Sequence, residues 1–170
     1  MWPFGRERRT LPLAEDLYDT DILAWSSGQA DRLRRVAAGE RVNDVDWSRV
    51  IEEIEDVGRS ALRAVQSLVR RAIEHALKAR AMPQDEAVRH WLHEATTFLR
   101  DAQDSYEPGM AQHIDLERIW NRARRAVLED YELPRERLPG TLPAASLAEL
   151  MNADADPRAL LQRLGGGVTE

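Results

Sequence analysis

One carboxylate and one amide stand where the helical period calls for apolar side chains, and both could do chemistry. Between Trp47 and Ala81 the apolar residues recur at helical spacing. At 100° per residue Glu55 projects inside their stripe, with Gln66 more loosely placed. Glu52 and Arg59 fall on the stripe's edge, while Glu53 and Asp56 face away. In the preceding segment Gln29 falls in the middle of the row Ile22, Trp25, Leu33 and Val36. If the two segments turn around 41–44 as an antiparallel hairpin, position 29 faces roughly position 56. Gln29 and Glu55 are then expected to meet inside the core. A Gln amide can donate to a carboxylate, Arg59 lies one helical turn beyond Glu55, and the Trp25 indole N–H is one turn from Gln29. Such a cluster either locks helix register or holds a desolvated Glu55 as general acid, base or metal ligand. The lock is the expected reading, because one carboxylate with an amide partner lacks a nucleophile or a second acid.

The histidines and arginines offer two further constellations. His90-x-x-His93-Glu94 has the spacing from which helices build metal sites, and His75 is equidistant with His90 across Met82-Pro83. Together with Glu74 or Glu94 they could converge on zinc or iron. His90 and His93, however, point away from the Trp91/Ala95 stripe, whereas bundle metal sites project inward. No metal or other cofactor is therefore expected. Arg118, Arg122 and Arg125, with Arg124 at their flank, form an outward stripe that could track phosphates. Glu117, Glu129 and Asp130 dilute it, and no aromatic is interleaved for base stacking. A solvated helix face is the expected role. Arg6, Arg8 and Arg9 are too few for RNA binding or targeting, and Trp2 and Phe4 beside them could bury against the domain or a partner. The chain has no Gly-rich phosphate loop, no G-x-S-x-G and no H-E-x-x-H.

Composition narrows the classes further. The 170 residues contain no cysteine, which excludes disulfide scaffolds, thiolate metal sites and thiol catalysis. A formal charge of -6 argues against generic nucleic-acid affinity. Lys78 is the one lysine among 24 basic residues. Arginine suits carboxylate and phosphate recognition, but codon bias in a GC-rich genome accounts for the excess more simply. No apolar run reaches the roughly 18 residues of a membrane span, and the N-terminus has no secretory pattern. A cytoplasmic protein is expected.

The elements that must position these residues read as four amphipathic helices. The first spans about 20–38, with Asp19 as N-cap, Asp21 in the first turn and Gly39 at C′. The second runs from Trp47 to Ala81, about 50 Å at 1.5 Å per residue, with Gly58 marking a bend or a close backbone approach. Its expected core row begins Val50, Ile51, Ile54, Val57, Ala61 and Leu62. The third covers about 85–106 and the fourth about 112–131. Prolines 134, 139 and 143 then forbid regular helix, before short helices at 146–151 and 157–164. The fold class is all-α, an antiparallel up-down bundle of four main helices with short C-terminal helices. The expected organisation is a flexible arm over 1–12, the bundle over 13–152, and a short helix with a Gly-rich tail over 153–170.

The run Tyr18-Asp-Thr-Asp21, Trp25, Gln29, Asp46-Trp47, Glu52-Glu-Ile-Glu-Asp-Val-Gly-Arg-Ser60 and Glu74-His-Ala-Leu-Lys78 resembles the bacterial family called domain of unknown function 29. That family's pattern is Y-D-x-D, W, Q, D-W, E-E-I-E-x-L-G and H-L-L-K. The likeness extends from about Tyr18 to Leu150, with Val57 and Ala76 replacing two leucines. It implies a small all-helical bacterial protein and carries no catalytic residue across. Gln29, Glu55, Arg59, His75 and Lys78 all coincide with the family motif. The expected role is a non-catalytic macromolecular interaction module, its partner another protein or a second copy of the chain. One alternative is a small-molecule or metal-dependent enzyme drawing on Tyr18, Asp21, Glu52, Glu55 and His75. Another is weak nucleic-acid binding through the fourth-helix arginines.

Overall fold

Asp21 rather than Asp19 starts the first long helix in the computed structural model of the protein, which describes residues 14–164 and side chains from Leu17 onward. The arm at 1–12, with Trp2, Phe4 and its arginines, and the glycine triplet at 165–167 lie outside the described residues. Asp19 belongs to a short preceding helix, α1 (Ala14–Thr20). Asp21 Oδ1 accepts the Ala24 N–H at 3.0 Å, so α2 runs Ile22–Ala37. Gly39, just past the helix end, adopts φ 85°, a left-handed conformation that suits glycine. Then come α3 (Trp47–Ala81), α4 (Val88–Ser105), α5 (Leu116–Asp130), α6 (Leu147–Leu150) and α7 (Pro157–Leu164). Short 3₁₀ helices fill Pro108–His113, which takes in the expected start of the fourth helix at about 112, and Arg135–Arg137. Among the described residues every regular element is a helix. α3 passes unbroken through Gly58, and a Cβ there would meet nothing within 4 Å, so no close backbone approach uses that glycine.

The chain divides after Asp56 into two compact units, so the division falls inside α3 and inside the expected bundle. In the first unit, α1 and α2 are followed by a nine-residue connection and the opening turns of α3. The connection folds back along α2. Arg35 pairs with Glu40 at 2.8 Å, Arg32 with Asp44 at 2.7 Å, and Gln29 Oε1 accepts the Asp46 N–H at 3.0 Å. Residues 35, 32 and 29 share one face of α2. Their partners climb the chain as they descend it.

In the second unit the core is continuous. From α3 it takes Val65, Val69, Ile73 and Leu77, from α4 Ala95 and Leu99, and from α5 Trp120 and Val127, each almost wholly buried. The irregular C-terminal stretch is tied to this core by side chains that donate to backbone carbonyls in both directions. Arg124 Nε donates to Pro139 O at 2.6 Å and Arg137 Nε to Ala81 O at 2.6 Å. Buried Gln103 Nε2 donates to Leu150 O at 2.9 Å and Asn152 O at 3.0 Å. The Pro139 carbonyl lies in the stretch that prolines 134, 139 and 143 keep out of regular helix, and the Ala81 and Leu150 carbonyls are the free ends of α3 and α6. α7, expected in the tail beyond the bundle, places Leu160, Leu161 and Leu164 in the core.

The expected core row of α3 is half right. Val50 is buried, as are Val65 and Val69, but Ile51, Ile54, Val57 and Ala61 are exposed. Leu160→Ala should lower stability by about 2–5 kcal/mol, as a buried leucine leaving a cavity does. Ile54→Ala should change it by no more than about 0.5 kcal/mol. Urea unfolding midpoints measure both. A Leu160 variant as stable as wild type would remove α7 from the core.

Candidate functional site

The polar residues singled out from sequence separate into two clusters, one in each unit. The first surrounds Gln29. Trp25 and Gln29, one turn apart on α2, are 4% and 3% exposed, so the expected burial of this amide holds. Glu55 does not join it: its side chain is exposed. The physical reason is the connection that folds back along α2. It brings Asp46, the residue just ahead of α3, beside Gln29, so position 29 meets the start of α3 instead of its third turn. Gln29 Oε1 takes the Asp46 N–H, while Gln29 Nε2 and Trp25 Nε1 are buried donors without a hydrogen-bond partner among the described residues. The acceptor expected for them was Glu55.

The carboxylate that does enter the cluster is Glu53, which the helical wheel had turned outward. Tyr18 donates its hydroxyl to Glu53 Oε1 at 2.6 Å. Its ring stands edge-on to Trp25 at 4.9 Å, and the Arg49 guanidinium lies 4.3 Å over the ring. Arg49 also reaches Asp19 at 3.8 Å and Asp46 at 3.9 Å. Glu52 and Arg59 are exposed, and Asp21 serves as the α2 cap. The hairpin register is the signal that could have found Glu53: with 46 opposite 29, position 53 falls opposite 22, one helical turn from Tyr18.

The second cluster gathers at the α3–α4 turn. Glu94 Oε2 stands 3.0 Å from His75 Nδ1 and 3.3 Å from His90 Nε2, so the two histidines equidistant from Met82-Pro83 lie near one carboxylate, although His75 Nδ1 makes no hydrogen bond among the described residues. His75 packs edge-on against Phe98 at 5.5 Å, and Lys78 Nζ lies 5.7 Å from the Tyr131 ring centre. Burial holds the His75 imidazole below its ordinary value, and the Lys78 charge adds to that against the pull of Glu94. His90 and His93 are exposed, as their outward placement requires. His93 does not converge with the other two and lines a separate groove. Among the described residues no group of three His, Asp or Glu is placed to hold a metal ion.

The α5 arginines also divide. Arg124 is engaged by the carbonyls of Pro139 and Arg135, and it holds the wrapping segment. Arg118, Arg122 and Arg125 are exposed beside Asp115 and Glu117.

The Tyr18–Glu53 bond has a measurable consequence. The bond donated to Glu53, with burial and the carboxylate charge, pushes the Tyr18 phenol up to about 12. A raised phenol contributes its bond fully below the ordinary value of 10 and loses it as pH climbs toward 12. In a spectrophotometric titration of the folded protein, Tyr18→Phe should remove the highest-pH phase of phenol absorbance. Glu53→Gln should move that phase to lower pH. A profile unchanged in both variants would show that the bond is not made.

The family model described as Domain of unknown function DUF29 matches residues 17–155. The chain is similar to an alpha-helical protein of unknown function from Rhodospirillum rubrum ATCC 11170, known from a crystal structure. The two are 31% identical, with a TM-score of 0.61, over 87% of this chain and 97% of that one. No curated protein matches the chain. With most of its length and both polar clusters inside the matched span, the protein belongs to the DUF29 family.

Proposed function

We propose that this protein is a non-catalytic interaction module that binds another protein through the apolar face of its first unit. One observation carries the reading. Ile22, Leu23, Trp47, Ile51 and Ile54 are 46%, 77%, 51%, 54% and 66% exposed within a single helical hairpin. Scattered apolar residues on a surface are ordinary, but a grouped set of large ones marks a place where another surface sits. Trp47, Ile51 and Ile54 follow one another at spacings of four and three, so they line one side of α3. Covering a half-exposed isoleucine gains roughly 1 kcal/mol, and a tryptophan at the edge of such a set is a common anchor.

The polar residues support this reading through what they hold. Gln29 ties the start of α3 to α2, Tyr18 ties α1 to Glu53, and Arg49 bridges Asp19 and Asp46. Each bond restrains the hairpin that presents the apolar side chains. A preorganised face loses less freedom on binding, which favours affinity.

Ile51→Asp/Ile54→Asp tests the proposal. Both positions are exposed, so the double variant should retain the helical circular dichroism of the wild type. Cross-linking and affinity capture from the native host should recover a defined partner with the wild type and lose it with the variant. Sedimentation of the purified chain shows whether that partner is a second copy. A variant that keeps the same partner with unchanged recovery would overturn the assignment to this face.

A further inference from the structure

A groove of about 430 Å³ lies between α4 and α7 on the second unit, within the size range of small-ligand sites. One wall is a single face of α4, carrying Arg89, Leu92, His93 and Thr96 at helical spacing. The other is a face of α7, carrying Arg158, Leu161 and Gln162. Its floor is apolar. Leu161 is buried, and Leu92 remains 42% exposed although it faces a concave surface. Thr96 adds no free donor, because its hydroxyl is bonded to Leu92 O at 2.8 Å.

The rim is cationic. Neither Arg89 nor Arg158 makes an ion pair with a described residue, and the groove lining contains no carboxylate. Neighbouring grooves differ: those along α5 and the wrapping segment contain Glu129, or Asp115 and Glu117, or Glu136. Arg89 and Arg158 each stand in the first turn of their helix; because Asp156 caps α7, accepting the Arg158 N–H at 3.0 Å, the positive potential at the rim comes from the guanidiniums. Two guanidiniums suit a carboxylate, which they can hold through charge-assisted hydrogen bonds. A leucine floor beneath them suits a hydrocarbon body. A bare inorganic anion would leave that floor wet, and an uncharged lipid would leave both guanidiniums without a counter-charge.

We propose that the α4–α7 groove binds a medium-chain carboxylate, its head on Arg89 and Arg158 and its hydrocarbon over Leu92 and Leu161. His93 and Gln162 stand at the same rim and supply hydrogen bonds to the head. This site is independent of the hairpin face, so either assignment can fail alone.

Octanoate, octanol and inorganic phosphate are the probes, titrated into the full chain and followed by backbone amide shifts. Octanoate should move the amides of Arg89–Thr96 and Arg158–Gln162 saturably. Octanol and phosphate should each bind about tenfold or more weakly, since each lacks one half of the recognition. Arg89→Gln/Arg158→Gln, two exposed positions, should weaken octanoate by at least about tenfold with helical content unchanged. Leu92→Gln should weaken octanoate and leave phosphate where it was. Absence of a saturable octanoate response overturns the proposal, as does equal binding of octanol. Phosphate matching octanoate would reduce the site to a general anion surface, and that too rejects the carboxylate assignment.

Discussion

A side-chain amide oxygen accepting the N–H of the residue that precedes a helix sets the register of the whole N-terminal hairpin. Gln29 sits in the middle of α2 where its row should be apolar, and it makes that bond to Asp46. With the two ion pairs that precede it along the connection, it lays the chain back over the last two turns of α2 before α3 begins. Everything downstream in the first unit inherits this offset: Tyr18 reaches Glu53, Arg49 lies over the Tyr18 ring, and the third turn of α3 is left outside. A buried amide without its bond would cost free energy, so the register is specified more sharply than apolar contacts alone would specify it.

The two units use their polar residues differently. In the first they restrain a small hairpin with a thin core of Trp25 and Val50, and large apolar side chains are left facing out. In the second they close a large core: Gln103, Arg124 and Arg137 each donate to backbone carbonyls, and Glu94 lies beside two histidines at the α3–α4 turn. The first unit is small and exposes apolar surface, whereas the second is larger and has a filled core. The cationic groove on the larger unit lies where a late helix packs on an early one.

Helix boundaries were legible because their causes are local. Asp46 before Trp47 and Met82-Pro83 after Ala81 bound α3 where the structure has it, and Pro157 opens α7. The misread cap shows the limit. Asp19 and Asp21 are both sound cap residues, and the choice between them rested on whether a separate α1 precedes α2. The burial of Gln29 was legible from the period of α2. Its partner was not, because a nine-residue connection can run straight on or fold back. The choice is decided by Arg35–Glu40 and Arg32–Asp44, pairs that no periodicity reveals.

The sequence by itself determined that this chain is helical, where its longest helix starts and stops, and which polar residues break the apolar rows. These properties follow from spacing along the chain and from caps within a turn of it. Only the tertiary structure decided which apolar rows are covered. Trp47, Ile51 and Ile54 read like Val65 and Val69 in pattern, yet the first three are exposed and the last two are buried. A helical period marks a side that can be buried, whereas burial requires another element to lie against it. That requirement depends on how distant segments meet, and so it cannot be read from the period of any one of them.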